Sequence, residues 1–412
     1  MRMHEKVPER NFRFCFVMKS LSFLRNDRNL QVICLIDLVA SIGQACTIPI
    51  LPIYVRSFGV SYFIVGLVIA GAGISRFFID IPVGFFFDRI GRKPFLRLSM
   101  LLLATSTLLP IFSGGIAQLL IFQLIQGAGM SIMMIGVLTV VGDISPHDRR
   151  GSYVGYLFAS DSLGMAIGAV AGGKLVEIGG FRAPFISMLV FSVLAALVVE
   201  LLFHESLPSE SEARRPTIAG IAKSGRNVMV AFAAAAAVSL LTAGTGNTAI
   251  PLYALSLLMS PFQIGLIVTV VFLANVVIMP WSGGMCDRAG TKRVFVGGFI
   301  LAAISSLLFI LSKQFYPLAA IGALLGLSMG IASSANAAIV VESSGANSRG
   351  ISIAIYRIFR DVGSILGPVM VGASSDLLGI YFAFVLSAII CVAIAMLGWG
   401  IRTTTHQRRP VT

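Results

Sequence analysis

Charged residues are scarce in this sequence. Asp, Glu, Lys and Arg together make up 12% of its 412 residues, whereas soluble domains contain about 25%. Hydrophobic residues account for 57%, and a soluble chain of this composition would expose apolar patches far larger than soluble monomers tolerate. The composition therefore argues against a soluble enzyme, a nucleic-acid-binding protein and a disordered scaffold. It indicates a membrane protein with many spans.

Residues that build catalytic or metal sites are also few. The four histidines lie outside the apolar segments, at His4, His147, His204 and His406. The five cysteines are scattered, with no metal-ligand spacing and no disulfide framework. A nucleotide-binding loop is absent as well. We therefore expect no catalytic site, no metal and no cofactor, and an energy source other than ATP.

Apolar segments long enough to cross a bilayer, which takes about 20 residues in a helix, occur twelve times. They lie near 31–55, 60–86, 94–113, 116–141, 151–174, 183–203, 229–256, 261–284, 294–312, 315–341, 350–373 and 379–401. The longest polar break separates six segments from six. We expect an all-α membrane protein divided into a cytoplasmic basic tail (1–29), an N-terminal six-helix bundle (30–204), a cytoplasmic linker (205–228), a C-terminal six-helix bundle (229–402) and a cytoplasmic tail (403–412).

The net charge of +13 is explained by membrane topology rather than by a nucleic-acid partner. Twenty-four of the 31 Lys and Arg residues fall in the tails and loops on one predicted side, and only four fall in the loops on the other side. Positive loops stay in the cytoplasm. We therefore expect both termini to be cytoplasmic, in the plasma (cell inner) membrane, and we expect the chain to work in the bilayer as a monomer.

The two halves of the chain are related by an internal repeat. Shifting the sequence by 199 positions places Pro52 on Pro251 and Asp88 on Asp287 without a gap. The same shift aligns glycines along most of each half. Because six spans separate the copies, both halves start on the same side of the membrane. Parallel repeats of this kind are typical of transporters with a binding site between two bundles.

The segment GFFFDRIGRK at 84–93 resembles the signature of the major facilitator superfamily between its second and third spans. The matching residues are Gly84, Asp88, Arg89, Gly91, Arg92 and Lys93. A second copy follows span eight, with Gly283, Asp287, Arg288 and Gly290 matching and Thr291 in place of a basic residue. The resemblance covers the chain outside the tails. It implies the major facilitator fold, with twelve transmembrane helices in two pseudo-symmetric six-helix bundles.

Span five is similar to a motif of the drug:proton antiporter branch of that family. The segment GMAIGAVAGG runs from Gly164 to Gly173, with Ala169 where the motif has a proline. The proline appears in the second copy, as Pro368. Span four resembles another family motif, whose usual arginine corresponds to Gln123. These matches imply a twelve-span drug:proton antiporter.

The signature residues predict a gate at the cytoplasmic ends of the helices. Small glycines let two helices approach closely. Asp88 can accept hydrogen bonds from the N-terminal amides of another helix, which the resemblance identifies as span eleven. For Arg92 and Lys93, an anchoring role at the membrane surface is the equally weighted alternative.

Several ionisable residues fall at bilayer depth, where charges are costly and default to a functional role. A rise of about 1.5 Å per residue puts Asp80 and Arg357 each about 12 Å from the cytoplasmic helix ends, and Arg76 and Asp361 each about 18 Å. The resemblance makes spans two and eleven antiparallel neighbours. With Arg360, these residues predict a charge ladder that closes the cytoplasmic side. The alternative is pairing within each helix, since the opposite charges are four residues apart.

Two acidic residues are candidates for proton coupling. Asp37 lies in span one, which lines the cavity in this family, and Asp161 lies in span five. A carboxyl group that alternates between neutral and charged forms could exchange a proton for the solute. The alternative for Asp37 is a structural pair with a neighbouring arginine. Asp161 is the second candidate, and a structural role is likewise its alternative.

The resemblance places spans one, four, seven and ten around a central cavity. The candidate substrate contacts are Gln44, Gln123, Gln126, Met130, Asn247 and Asn336. Methionine adapts to varied apolar shapes, and the set suits a moderately apolar organic solute. A sugar phosphate or a dicarboxylate would instead require Arg or Lys in the cavity. Packing between helices is the alternative role for each of these residues.

The sequence thus predicts a secondary active transporter that works by alternating access. Its partners are a small-molecule substrate, protons and the lipid bilayer. Proton-coupled efflux of small lipophilic or drug-like solutes is the leading interpretation. The first alternative is proton-coupled transport of a specific metabolite such as a sugar or an organic acid. The second is a transporter-like membrane sensor.

Overall fold

The computed structural model describes residues 28–112, 114–146, 149–203, 226–343 and 349–401. Within these ranges the regular secondary structure is helical and contains no strand. The expected C-terminal tail and nearly all of the expected N-terminal tail and linker lie outside the described residues. So do His4, His147, His204 and His406.

Twelve long helical rods, numbered α1 to α12, run through the described residues. The N-terminal half contains α1 (Arg28–Arg56), α2 (Tyr62–Ile90), α3 (Arg92–Phe112), α4 (Ile116–Ile144), α5 (Arg150–Gly179) and α6 (Ala183–Leu202). The C-terminal half contains α7 (Arg226–Ser256), α8 (Pro261–Ala289), α9 (Thr291–Leu311), α10 (Phe315–Ser343), α11 (Arg349–Leu378) and α12 (Ile380–Trp399). The number of each rod is therefore the number of the predicted span.

Eleven of the rods in the described residues are long and apolar enough to cross a membrane by length and composition alone. The exception is α11. It is 30 residues long, but three charged side chains fall within five positions, at Arg357, Arg360 and Asp361. A helix that carries so much charge has to place it against protein rather than lipid.

Three rods are interrupted where the sequence disfavours a continuous α-helix. The first rod breaks after Thr47 and resumes at Leu51, with Pro52 in the new first turn. Proline lacks the amide hydrogen that a helix interior needs but fits a first turn. The third rod breaks between Ser106 and Leu108. In α7 the stretch Leu241–Ala249 is wound as a π-helix, a geometry that often marks functional sites.

The repeat in the sequence reappears in the way that the helices begin. Ser61 and Ser260 cap the N-termini of α2 and α8, and their hydroxyl groups accept bonds from the backbone amides of Ile64 and Gln263. Gly91 and Gly290 connect each of these helices to the next with φ of 92° and 87°, a conformation that favours glycine. The two signature segments are therefore the same tight turn built twice.

Glycines allow the close packing of α5 on α1. A Cβ atom at Gly168 would fall 2.6 Å from the Ala45 Cβ, and one at Gly164 would fall 2.7 Å from the carbonyl oxygen of Leu38. Such distances are shorter than van der Waals contact. The glycine spacing of the predicted antiporter motif therefore serves the packing of the N-terminal bundle.

Two pairs of helices join the bundles. The α2–α11 seam and the α5–α8 seam are the extensive contacts between the halves, and each includes a matching glycine. A Cβ atom at Gly372 would fall 2.8 Å from the Phe63 Cα, and one at Gly173 would fall 2.9 Å from the Phe262 Cα. We call the end of the molecule with residues 84–93 and 283–292 the signature end, and the opposite end, with these two glycines, the distal end.

We predict that Gly168→Ala destabilises the protein by about 1–3 kcal/mol, because the added methyl group overpacks the α1–α5 contact. The measurement is thermal unfolding of the purified protein in detergent. Gly297→Ala is the matched control, since a Cβ there meets no atom within 4 Å, and alanine in that helix should leave stability unchanged or raise it by up to about 1 kcal/mol. Equal transition temperatures for the two variants would contradict the packing argument.

Candidate functional site

Four of the predicted ladder residues meet across the α2–α11 seam. A guanidinium nitrogen of Arg357 lies 3.0 Å from Asp80 Oδ2, and Arg76 Nε lies 3.5 Å from Asp361 Oδ1. These are the equal-depth pairs of the two antiparallel helices. No ion pair forms within α2 or within α11 among these four described side chains. The pairing that the structure contains is therefore between the bundles.

Hydroxyl groups support both pairs. Ser131 of α4 donates a hydrogen bond to Asp80 Oδ1, and Arg76 donates one to Ser364 Oγ at 2.9 Å. The fifth residue of the expected ladder, Arg360, does not join it. Its side chain is exposed and has no carboxylate within ion-pair distance in the described part of the chain.

The α5–α8 seam is built without charges at the matching positions. Under the 199-residue shift, Phe158 and Ser162 occupy the positions that correspond to the ladder residues of α11. Asn275 and Met279 occupy those that correspond to the ladder residues of α2. Here Thr269 of α8 donates a hydrogen bond to the carbonyl oxygen of Ala166 at 2.9 Å. In the described residues, ion pairs between the bundles therefore occur at the α2–α11 seam and not at the matching positions of the α5–α8 seam.

At the distal end, a carboxylate from each bundle binds the first turn of a helix in the other bundle. Asp376 of α11 accepts hydrogen bonds from the backbone amides of Tyr62 and Phe63, both at 2.8 Å. Glu177 of α5 accepts one from the amide of Phe262 at 3.4 Å. These first-turn amides lack partners within their own helix and carry partial positive charge. Each contact, which we call a distal latch, therefore ties the bundles together.

The sequence analysis above does not predict the latches, although the repeat contains a signal for them. Shifting by 199 positions places Glu177 on Asp376 and Phe63 on Phe262. An acid retained in both copies at the end of a span was the clue. Both acids lie at the edge of the predicted membrane, where a charge is not costly and therefore does not by itself indicate a function.

At the signature end, the basic residues of the first copy bond within the N-terminal bundle. Arg92 Nε lies 3.0 Å from Asp143 Oδ2, and Lys93 donates to the carbonyl oxygen of Glu200 at 2.9 Å. In the second copy Thr291 replaces the arginine and hydrogen-bonds Glu342 at 3.1 Å, the repeat counterpart of Asp143. These contacts hold α3 to α4 and α6, and α9 to α10.

The other residues of the predicted gate form no side-chain hydrogen bonds or ion pairs among the described residues. The side chains of residues 84–90 lie outside the described residues, and with them the predicted roles of Gly84, Asp88 and Arg89. Asp287 and Arg288 are exposed, and they have no partner in the part of the chain that the structure describes. A Cβ atom at Gly283 would meet no atom within 4 Å.

Asp37 and Asp161 are brought together between α1 and α5. Asp37 is 1% exposed and accepts a hydrogen bond from Ser160 of α5 at 3.2 Å. Asp161, which is partly buried, accepts one from Ser41 of α1 at 2.6 Å. Each carboxyl group is thus held by a hydroxyl from the other helix.

Neither carboxyl group has a cationic partner. No Lys or Arg lies within ion-pair distance of Asp37 or Asp161 in the described residues. The arginine pair that was the alternative for Asp37 is therefore absent from the described structure. A buried carboxyl pair without a countercharge can be accommodated when at least one member carries a proton.

A cavity of about 140 Å³ lies between the bundles. Five of the predicted substrate contacts line it, namely Gln44, Gln123, Gln126, Met130 and Asn247. Thirteen of its sixteen lining residues belong to the N-terminal half, and the others are Ala243, Asn247 and Ser364. The cavity is therefore lined by α1, α2, α4, α5, α7 and α11, and not by α10 as the sequence predicts.

Asn336 of α10 lies away from this cavity. Its side chain is fully buried, and neither amide atom has a hydrogen-bond partner. The cavity is displaced toward the N-terminal bundle. As a result, α10 packs within the C-terminal bundle and does not contribute to the lining.

The polar groups in the cavity differ in how far they are satisfied. Gln123 donates to the carbonyl oxygen of Ile69 at 3.3 Å, and Gln126 lies 3.7 Å from the sulfur of Met188. The amide nitrogen of Gln44 is buried without a partner. Arg76 also lines the cavity, which sequence analysis did not foresee because it assigned this residue to the ladder alone.

The sequence matches the family model described as Major Facilitator Superfamily over residues 33–244 and 230–412. It is 22% identical over 379 residues to an uncharacterized MFS-type transporter of Methanocaldococcus jannaschii, a match that covers 90% of this chain and 98% of the relative. It is also 26% identical over 164 residues to the quinolone resistance protein NorA of Staphylococcus aureus. That match covers 40% of this chain and 42% of NorA.

Solved transporter structures share the fold. An inward-facing, unoccupied bacterial homolog of the human lysosomal transporter Spinster superposes with a TM-score of 0.74 at 14% identity, covering 90% of this chain and 95% of the other. The human organic anion transporter MFSD10 superposes with a TM-score of 0.67 at 17% identity, covering 90% and 99%. At these identities the likeness establishes the architecture alone.

We predict that Asp376→Asn opens the distal end more than Glu177→Gln does, because Asp376 binds two amides at 2.8 Å and Glu177 binds one at 3.4 Å. Loss of the charge weakens the attraction to the helix N-terminus. The measurement is the rate at which a cysteine introduced at Thr47, in the cavity, reacts with a membrane-impermeant maleimide. A faster reaction in the Glu177 variant than in the Asp376 variant would contradict this ranking.

Proposed function

Because the chain belongs to the major facilitator superfamily, whose members are transporters and not enzymes, we propose that it exports small lipophilic or drug-like solutes in exchange for protons by alternating access. The solute binds in the cavity between the bundles. The bundles then separate at one end and close at the other. Partial similarity to NorA, a protein named for quinolone resistance, supports this substrate class.

The observation that carries proton coupling is the pair formed by Asp37 and Asp161. Two carboxyl groups at the α1–α5 interface are each held by a serine of the other helix, and no cation of the described residues pairs with them. Serine hydroxyls can donate to a carboxylate and can also accept from a protonated acid. Ser41 and Ser160 can therefore hold either protonation state. Uptake and release of one proton at this pair would alter the electrostatics of α1, which also lines the cavity through Gln44 and Thr47.

The gates are the contacts that must break at each end. In the outward-open state the distal latches separate, and in the inward-open state the charge ladder of Arg76, Asp80, Arg357 and Asp361 separates. The predicted orientation, with both termini in the cytoplasm of a plasma-membrane protein, makes the signature end the inner gate. Work as a monomer is part of the same proposal, since each gate is formed within a single chain.

Two alternative functions use the same fold. Transport of a defined metabolite agrees with the organic anion named for MFSD10, and a membrane sensor could use the same fold without moving a solute. Flux into proteoliposomes with and without a pH gradient separates the three. Gradient-driven flux of quinolones supports the first, gradient-driven flux of one metabolite alone supports the second, and solute binding without flux supports the sensor.

We predict that Asp37→Asn lowers solute-driven proton movement at least about tenfold while solute binding is retained, because the amide cannot release a proton. The measurement is the internal pH of proteoliposomes, followed with a trapped pH dye after a fluorescent quinolone is added. Asp37→Glu keeps a carboxyl group and is the matched variant, expected to retain part of the activity. Proton movement equal to the wild type in both Asp37→Asn and Asp161→Asn would remove this pair from the mechanism.

We also predict that reversing the charges of one ladder pair is rescued by reversing its partner. Asp80→Arg places three cations together at the seam, and Arg357→Asp places three carboxylates together, so each single variant should lose most transport. The double variant restores opposite charges and should recover part of the activity, although Ser131 loses its acceptor. Quinolone flux in proteoliposomes is the measurement. A double variant as inactive as the single variants would show that the pair does not act as a gate.

A further inference from the structure

Arg76 belongs to the charge ladder and to the cavity at the same time. It pairs with Asp361 across the seam, and its side chain also lines the cavity. Among the described residues that line this cavity, Arg76 is the only charged one. A solute in the cavity therefore meets a single positive charge with no carboxylate beside it in the lining.

The guanidinium group of Arg76 has hydrogen-bond donors to spare. Arginine carries five N–H donors. In the structure one nitrogen donates to Ser364 and Nε lies 3.5 Å from Asp361. Strong ion pairs with arginine are commonly bidentate, with distances near 2.7–2.9 Å. The contact with Asp361 is therefore loose, and the remaining donors can bind another acceptor.

A second donor and apolar walls complete the cavity. Gln44 lines the same space, and its side-chain nitrogen is buried and has no hydrogen-bond partner. A buried donor without an acceptor is costly unless something fills the role. Ile48, Leu51 and Met165 supply apolar surface around it. The cavity thus offers a cation and a free amide at polar positions within largely apolar walls.

We propose that the transported solute is an amphipathic organic anion whose carboxylate binds Arg76 and the free amide of Gln44. This inference rests on the proposed transport function and names its substrate class. The apolar body of the solute lies against Ile48, Leu51 and Met165. A cationic solute would be repelled by Arg76, and a sugar would leave the apolar walls without a partner.

Binding of this carboxylate also acts on the gate. Arg76 bound to the solute is drawn away from Asp361, which weakens the α2–α11 seam. Asp361 keeps Arg357, four residues earlier on the same helix face, as a neighbouring cation. Occupancy of the cavity therefore changes the ion pairing of the seam, and this links the arrival of the solute to the charge ladder.

The test compares three solutes of one shape and different charge, which are 4-phenylbutyrate, 4-phenylbutanol and 4-phenylbutylamine. Isothermal titration calorimetry on the purified protein in nanodiscs gives their affinities, with empty nanodiscs subtracted. A charge-assisted bond to the anion predicts that the wild type prefers the carboxylate over the alcohol by about tenfold. Arg76→Gln should abolish that preference, and Arg76→Lys should keep part of it.

Arg360→Gln is the matched control, because it removes a cation that is exposed, has no ion-pair partner among the described residues and is absent from the cavity lining. It should retain the preference of the wild type. Equal affinity for the three solutes, or a preference that survives Arg76→Gln, overturns the inference. If Arg76→Gln fails to fold, Arg76→Lys takes its place, and a preference in this variant as large as that of the wild type overturns the inference.

Failure of the inference is distinguishable from failure of the proposed function. Proton-driven flux of a neutral quinolone analogue without any preference for the carboxylate leaves the transporter standing and removes the role of Arg76. An Arg76-dependent preference without flux of any solute instead supports the anion site and contradicts transport.

Discussion

The structure depends on the cost of placing charge inside a lipid bilayer. A charged side chain at that depth must find a partner of opposite sign or lose its charge. The protein uses both solutions. At the α2–α11 seam, Arg76, Asp80, Arg357 and Asp361 neutralise one another across two helices that belong to different bundles. Between α1 and α5, two acids have no cation among the described residues, and the proposed coupling neutralises them with a proton. One constraint thus underlies both the proposed gate and the proposed coupling site.

The repeat supplies a frame on which the halves differ in chemistry. Both seams have the same glycines at the distal end, the same serine caps and an acid on the N-terminus of the facing helix. Among the described residues, only the α2–α11 seam has ion pairs between the bundles, and the cavity is lined mainly by the N-terminal half. Symmetric packing holds the two bundles together, while the polar groups differ between the two seams. Arg76 connects the two properties because it stands in the seam and faces the cavity.

Much of this arrangement can be predicted from the sequence, and the remainder has physical reasons for escaping it. Span lengths and the 199-residue repeat follow from apolar runs and glycine spacing. The depth of Asp80, Arg357, Arg76 and Asp361 follows from helix rise, so the pairs could be suggested once the two helices were taken as neighbours. The position of a cavity depends on how the bundles lean, which no local pattern records. For that reason the sequence predicts Asn336 in the lining and does not predict Arg76 there.

The central claim is that the two ends of the molecule open in alternation. Spin labels at Ile178 and Leu377 report the distal end, and labels at Leu201 and Trp399 report the signature end, with all four positions exposed and one of each pair in each half. In a variant whose native cysteines are replaced by alanine, double electron–electron resonance measures both distances between the spin labels. The distances are measured at acidic and alkaline pH, with and without a quinolone. We expect one distance to lengthen when the other shortens. Distances that stay fixed, or that lengthen together, would contradict alternating access between these two bundles.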